Sequence, residues 1–482
     1  MQFNSYLFLL LFLPITLSGY FCLGKRMGRP RAMGWLTGAS LVFFAWRMPL
    51  WHIGLLLGSA LFNWHLSRLL VGKEGGIPGE DKKRKLLLAF GVGGNLALLF
   101  YFKYTGFFLE NANRIFDREW TFYKILVPMG LSFFTFQQIA WLVDSYRLET
   151  RGYHFGEYLL FSVYFPKIAM GPILLHGELI PQLRDPSRIK ADPEKISEGL
   201  MILAVGLFKK VILAEFFAGP VAWGFGSKEV LGSSDAFFVM VSYGFQLYFD
   251  FSGYCDMAMG VSRMFGLELP LNFDSPYQAL SPVEFWKRWH ITLTRFLCKY
   301  LYFPLGGSKK GILRTYVNIM IVFLVSGLWH GAAWTFVLWG ILHGLGQCLN
   351  RLFQKTWEGF HAAFQWMGTF LFVNLTWVVF RAESVSQAKD FLKGLLNYGK
   401  MQLNPAFLDS FQMVELPPFL TSHRLFTVFG IYGIAFFLVM NTNNMGRTKL
   451  RPTLFRGIGT ALLLVWSILS LGGISGFIYF QF

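Results

Sequence analysis

Apolar runs of membrane-spanning length recur from one end of this chain to the other, and they dictate most of what it can fold into. Hydrocarbon offers no water to satisfy a backbone N–H or C=O, so such runs must close their hydrogen bonds internally, as helices. They fall at about Tyr6–Leu23, Met33–Arg47, Trp51–Val71, Leu86–Phe102, Val127–Val143, Phe237–Met264, Tyr316–Leu349, Phe364–Val379, Phe426–Met440 and Ile458–Phe480. Only 15% of the 482 residues are charged while 54% are hydrophobic, against about 25% charged in soluble proteins. The 54 Phe and 16 Trp suit lipid-facing surfaces and interfacial belts. The expectation is an all-α polytopic membrane protein, one membrane-embedded domain over residues 1–482 with about ten to twelve transmembrane or re-entrant helices.

The formal charge of +17 is distributed in short clusters between apolar runs and not along one face. That pattern reads as positive-inside topology and excludes nucleic acid as a partner. Lys25, Arg26, Arg29 and Arg31 follow the first run, which places that loop in the cytoplasm and the N-terminus outside. The Lys82–Lys85 cluster in GKEGGIPGEDKKRK repeats the sign, as do Arg447, Lys449, Arg451 and Arg456 before the final run. With no basic residue ahead of it, the first run reads as a retained span and not a cleaved signal. Cys22, Cys255, Cys298 and Cys348 are too scattered for a zinc site or a disulfide framework. Membrane lipid is the implied surrounding, in the cytoplasmic (inner) membrane of a cell.

Polar residues inside these runs mark where helices face protein or a cavity. Gln137, Gln138 and Asp144 do so in GLSFFTFQQIAWLVDSYR; Gln137 is a candidate substrate contact, although helix-to-helix hydrogen bonding explains it equally well. Pro166, Gly171, Pro172 and Pro181 break the stretch from Phe155 to Ile180 into a re-entrant element whose Lys167 and His176 would line a cavity. Lys209 and Lys210 interrupt Ile196–Trp223, predicting one bent helix or two short ones. Asp250 and Tyr254, four residues apart, share an inward face of the next helix and are further candidates for binding substrate.

Two histidines stand out between Glu284 and Trp339. His290 lies among Lys287, Arg288, Arg295 and Lys299, as suits a helix at the cytoplasmic mouth where an anionic donor arrives. Trp286, His290 and Thr294 would share one helical face, and Glu284 can pair with Arg288. His330 follows the apolar run from Tyr316 to Trp329. If Arg314 marks the interface, sixteen helical residues carry His330 about 24 Å inward. Tyr316–Leu349 would be about 51 Å long as one helix, so a break near SGLWHG is expected. A neutral histidine at depth is a general base in waiting, while His330 taken alone fits a structural histidine equally well. His343 falls about 140° from His330 around a continuous helix and is left out. Nothing has metal-ligand spacing, and no metal or bound cofactor is expected.

FWKRWHITLTRFLCKYLYFPLGG followed by LVSGLWHGAAWTFVLWGILHG resembles the membrane-bound O-acyltransferase superfamily, and within it the alginate O-acetyltransferase-like branch. YFPKIAMGPILLHGELIPQL, GLFKKVILAEFFA, YGFQLYFDFSGYCDMAMGVSRMFGLELPLNF and the terminal FIYFQF extend the likeness along most of the chain, with the core at about 125–350. Cys298 departs from it, standing where that branch has a charged or polar residue. The resemblance implies a helical fold with a central funnel or tunnel, His330 as principal catalytic residue and His290 as its partner. Arg288, Arg295, Trp286, Trp329 and Trp334 around them become candidates for binding substrate. It further implies a cytosolic acyl thioester donor, acetyl-CoA or an acyl carrier, and a separate extracytoplasmic acyltransferase that modifies a polysaccharide such as alginate. D-alanyl or other acyl transfer to teichoic acid or peptidoglycan is the nearest alternative; a lipid transporter or flippase without covalent chemistry is another.

Overall fold

The computed structural model describes residues 1–46, 48–72, 80–121, 126–168, 170–411, 422–442, 444–447, 451–472 and 476–478. Most of the GKEGGIPG loop, Lys449, and parts of the final run and of FIYFQF lie outside these residues. Among the described residues every regular element is a helix, and one β-bridge joins Phe273 to Trp289. In chain order the main helices are α1 Leu13–Met27, α2 Arg29–Ala45, α3 Leu50–Val71, α4 Glu80–Leu99, α5 Thr105–Phe116, α6 Leu131–Tyr146, α7 Phe155–Val163 and α8 His176–Arg184. They continue as α9 Pro193–Phe208, α10 Glu215–Gly226, α11 Ser233–Met264, α12 Pro282–Arg288, α13 Ile291–Leu297, α14 Ile312–His330 and α15 Trp334–Leu352. The series ends with α16 Ala362–Arg381, α17 Val385–Leu395, α18 Arg424–Asn441 and α19 Leu454–Leu469.

Among the described residues, five helices are long and apolar enough to cross a membrane, at Leu7–Met27, Asp81–Phe116, Ile312–His330, Ala362–Arg381 and Arg424–Arg447. That corrects the expected ten to twelve. The reason is visible in the breaks: the re-entrant stretch splits into α7, a short turn at Phe165–Ile168 and α8, and the charged stretch around His290 splits into α12 and α13. Others carry polar side chains inward, as α11 does with Asp250 and Asp256.

The chain forms two compact units, one of residues 1–203, 257–270 and 450–456, the other of residues 204–256, 271–449 and 457–482. In the first unit, Phe8, Phe12, Phe43 and Phe165 pack edge to face and tilted at ring separations of 5.2–6.2 Å. Asn63 on α3 and Asn95 on α4 exchange amide hydrogen bonds of 2.7 and 3.2 Å, one way of spending polar side chains where lipid cannot satisfy them. Gln137 of α6 donates to the Phe161 carbonyl at 2.9 Å, and Gln138 to Ser162 of α7 at 3.3 Å. The helix-bonding reading of this pair accounts for what they touch. Lys167 is buried with its ammonium 4.1 Å from the Phe161 ring centre, and His176 Nε2 lies 3.3 Å from Asp144 Oδ2.

The second unit has an aromatic core in which Trp339 stacks on Trp377 at 5.8 Å and Phe285 on Trp289 at 5.5 Å. Between α9 and α10 the chain stays helical but widens into a π-turn, Lys209–Ala214. One inserted residue per turn re-aims neighbouring side chains, and both lysines turn to carboxylates of α11: Lys209 to Asp256 at 2.7 Å, Lys210 to Asp250 at 2.7 Å. α14 and α15 then form a tight antiparallel hairpin. Gly327 and Gly340 face each other at its crossing, where an added Cβ would come within 2.3 Å of the Phe336 carbonyl oxygen or 2.5 Å of that of Phe323. The expected break falls at the hairpin tip: α14 ends on His330, and Gly331–Ala333 lead into α15.

Candidate active site

His330 is the last residue of α14 and is 6% exposed. Its imidazole sits in an aromatic cage, with the rings of Trp329, Trp339 and Phe380 at 4.9, 5.2 and 5.3 Å. Three elements build that cage, α14, α15 and the C-terminal end of α16. The basic ends of the hairpin, with Lys309, Lys310, Arg314 and Arg351, are at its other end, one α14 length of about 28 Å away.

His290 is placed differently from the expected charged mouth: it is fully buried. The helix expected to carry it is broken. α12 ends at Arg288, and His290 takes the left-handed conformation, φ 47° and ψ 51°, before α13 begins. Trp286, His290 and Thr294 therefore share no continuous helical face. The cause is a second strand of chain: Asp274 N–H donates to the Arg288 carbonyl at 2.9 Å and Ile291 N–H to that of Asn272 at 3.0 Å. This short antiparallel pairing pulls the backbone out of helix. A left-handed non-glycine residue costs of order 1 kcal/mol, held here by its surroundings.

Asn272 fixes the ring as well. Its Oδ1 accepts from His290 Nδ1–H at 3.1 Å, from Thr292 N–H at 3.2 Å and from the Thr292 hydroxyl at 2.8 Å, while its Nδ2 donates to Cys255 Sγ at 3.2 Å. With Nδ1 carrying the proton, Nε2 is the basic nitrogen of His290. Phe251 packs edge-on against the same ring at 4.9 Å. Trp329 lies 6.1 Å from the His290 ring and 4.9 Å from that of His330, so the two imidazoles flank one indole. They are neighbours at one locality and not the two ends of a route in depth.

Trp286 Nε1–H donates to His343 Nδ1 at 3.1 Å, His343 Nε2–H to Thr376 Oγ1 at 2.9 Å, and the Thr376 hydroxyl to the Val373 carbonyl at 2.8 Å. His343 is thus a neutral relay holding an indole. The separation of about 140° from His330 expected on one continuous helix does not apply to it, because the helix breaks at Gly331. Trp286 in turn lines a cavity of about 210 Å³ with Lys287, Thr294, Cys298, Ser326 and Arg351. The cavity is apolar inside and has cations at the hairpin's basic end; its Ser326 is one turn before His330.

The remaining candidates sit as follows. Arg288 pairs with Glu284 at 2.8 Å, as the spacing predicted, and donates to the Asp274 carbonyl at 3.2 Å. Arg295 is half-buried on α13, Trp329 is buried, and Trp334 is 54% exposed at the start of α15. Asp250 is engaged by Lys210 and by the Ile478 N–H at 3.2 Å, and the buried Tyr254 packs on Phe477 at 5.0 Å. Asp250 and Tyr254 thus have structural partners, and Gln137 belongs to the other unit. Asn272, His343 and Trp339 are the residues sequence reasoning missed; the only local signal for Asn272 was a lone amide in an apolar, non-helical stretch. Among the described residues one group has metal-compatible geometry, Asp144, Glu149 and His176 in the first unit, whose ligand atoms lie within 4.8 Å of one another. It shares no residue with the histidine site. The second unit holds the cavity of about 210 Å³ and another of about 620 Å³, and the two share no lining residue.

A sequence model of the membrane-bound O-acyltransferase family matches residues 119–384. A peptidoglycan O-acetyltransferase of Helicobacter pylori is 39% identical over 432 residues, covering 83% of this chain and 81% of that protein. A probable alginate O-acetylase of Pseudomonas putida is 36% identical over 429 residues, 86% of this chain and 85% of its own length. A teichoic acid D-alanyltransferase of Streptococcus thermophilus is 25% identical, over 53% of this chain and 70% of that protein.

Proposed function

The chain belongs to the membrane-bound O-acyltransferase family, and from that premise we propose that it moves an acetyl group from a cytosolic thioester onto hydroxyls of a cell-envelope polysaccharide. The observation that carries the reading is the pair of imidazoles flanking Trp329, one with its tautomer set by Asn272. In the second unit the donor side is the hairpin's basic end, where Lys287 and Arg351 attract an anionic donor and the 210 Å³ cavity accepts its apolar arm. His330 takes the proton from an acceptor hydroxyl as that oxygen attacks the thioester carbonyl. The tetrahedral intermediate collapses, the C–S bond breaks, and the imidazolium returns its proton to the thiolate. A transient acyl-imidazole on His330 is the alternative order of the same bond changes. His290 positions the carbonyl through Nε2 when that nitrogen is protonated, or shares the base role when it is not.

Acetyl is favoured over D-alanyl because the likeness to acetyl-transferring relatives is higher and covers far more of both chains. A second, extracytoplasmic acyltransferase as partner in modifying the polysaccharide, and placement in the cytoplasmic membrane with the N-terminus outside, complete the reading. His330→Ala in purified, folded protein should lower consumption of a labelled acetyl thioester by at least about 10²-fold, the usual weight of a general base. Full transfer by that variant would end the proposal. A transporter would leave the thioester intact in both proteins.

A further inference from the structure

A second cavity of the same unit, about 620 Å³ and open on one side, is lined by the loop between α10 and α11 and the chain that follows α17. Its walls are fastened to each other. Ser233 N–H donates to the carbonyls of Asn397 and Lys400 at 3.3 and 3.2 Å, Ser234 Oγ to that of Met401 at 2.6 Å, and Asn404 N–H to Asp235 Oδ1 at 3.0 Å. Gly232 makes the close approach possible, since a Cβ there would meet the Lys400 carbonyl oxygen at 2.2 Å. The cavity is therefore formed in advance of any ligand, and its volume lies in the range of small-molecule sites.

Its position and chemistry are specific. Phe380, which edges His330, precedes Arg381, whose guanidinium lies over the Phe225 ring at 5.2 Å; Phe225 lies in the last turn of α10, two residues from the lining residues Trp223 and Ser227. The cavity thus belongs to the His330 end of the hairpin and not to its basic end. Trp223 is half-buried and Tyr398 is 65% exposed, offering two aromatic rings. Gln402 and Asn404 add amides, and Asp235 a buried carboxylate. Burial pushes the Asp235 carboxyl above the ordinary aspartate range, partly offset by the Asn404 N–H. The charged lining residues are Asp235, Glu229 and Lys400, with Lys400 lying 3.9 Å from Glu229.

We propose that this cavity binds an uncharged, hydroxyl-bearing saccharide, and that it is selective against polyuronates. Aromatic rings cover the C–H faces of a sugar while carboxylate and amide groups satisfy its hydroxyls. With the single lysine offset by Glu229, the buried Asp235 repels a chain bearing a carboxylate on every unit. The idea deepens the acyl-transfer reading by naming the acceptor class, and it is tested without catalysis.

The full-length protein in detergent is titrated with chitotetraose and, separately, with a mannuronate tetramer, following tryptophan fluorescence and heat, with His330→Ala run in parallel. Saturable chitotetraose binding is expected in both proteins, at least about tenfold tighter than the uronate and little changed between 50 and 500 mM salt. Tyr398→Ala, an exposed change that leaves the fold alone, should weaken it by roughly 5- to 50-fold, in line with loss of one stacking surface. Asp235→Asn should narrow the preference against the uronate. No binding of either sugar, equal or tighter uronate binding, or an unaffected Tyr398→Ala overturns the proposal; the first of these points to a protein partner on this surface. Loss of acyl transfer in His330→Ala with binding intact keeps the two hypotheses separable.

Discussion

Asn272 holds three donors on one amide oxygen, the His290 Nδ1–H and the N–H and hydroxyl of Thr292. Asn272→Ala leaves those donors buried without an acceptor, at about 1–3 kcal/mol in stability. It also releases the imidazole to its other tautomer. Turnover should fall by about 10- to 100-fold, the range seen when an orienting partner of a functional histidine is lost, with KM for the thioester changed little. Separate kcat and KM values, with the ¹⁵N shifts of the His290 ring, check this; an unchanged tautomer would refute it. The Lys210–Asp250 pair argues in the other direction. Both side chains are 1% exposed at 2.7 Å, so Lys210→Met strands a carboxylate and should cost about 3–5 kcal/mol. Lys210→Met with Asp250→Leu should regain much of that in thermal unfolding. If the double variant is no better than the single one, the remaining cost lies with Glu215, which also pairs with Lys210 at 2.9 Å.

At the scale of elements, the α14–α15 hairpin decides where His330 ends up. Its two helices touch through the backbone at Gly327 and Gly340, and no side chain larger than hydrogen fits. Gly327→Ala or Gly340→Ala should destabilise by about 1–3 kcal/mol, the cost of overpacking. Each should also reduce transfer, because the wedge tilts the tip that carries the His330 imidazole, the proposed general base. Thermal unfolding and activity measured on the same preparations test it; a variant that keeps full stability would mean the crossing is looser than drawn. The π-turn at Lys209–Ala214 is the other element with a purpose, aiming two successive lysines at two carboxylates of α11.

At the scale of the whole molecule, the prediction concerns sidedness. In the second unit the exposed Lys309 marks the hairpin's basic end and the exposed Lys400 the His330 end. With the native cysteines replaced, Lys309→Cys should react with a membrane-impermeant maleimide only from the cytoplasmic side and Lys400→Cys only from outside. Labelling of both from one side would invert or abolish the proposed direction of transfer. The five spanning helices found by length and apolarity are fewer than the apolar runs suggested, because hydropathy records that a segment leaves water without recording whether it leaves into lipid or into protein.

By itself the sequence determined the helical class, the membrane setting, the family and the interruption after His330, since each depends on local composition or on motifs read in order. The Glu284–Arg288 pair, four residues apart, was legible for the same reason. Only the tertiary structure decided that His290 is buried, because the turn that buries it is imposed by Asn272–Asp274, a dozen and more residues earlier. It alone turned His343 from a bystander into the support of Trp286, and gave Asp250 and Gln137 to structural bonds. Periodicity fixes which side of a helix is polar; which group meets that side depends on chain brought together from far along the sequence.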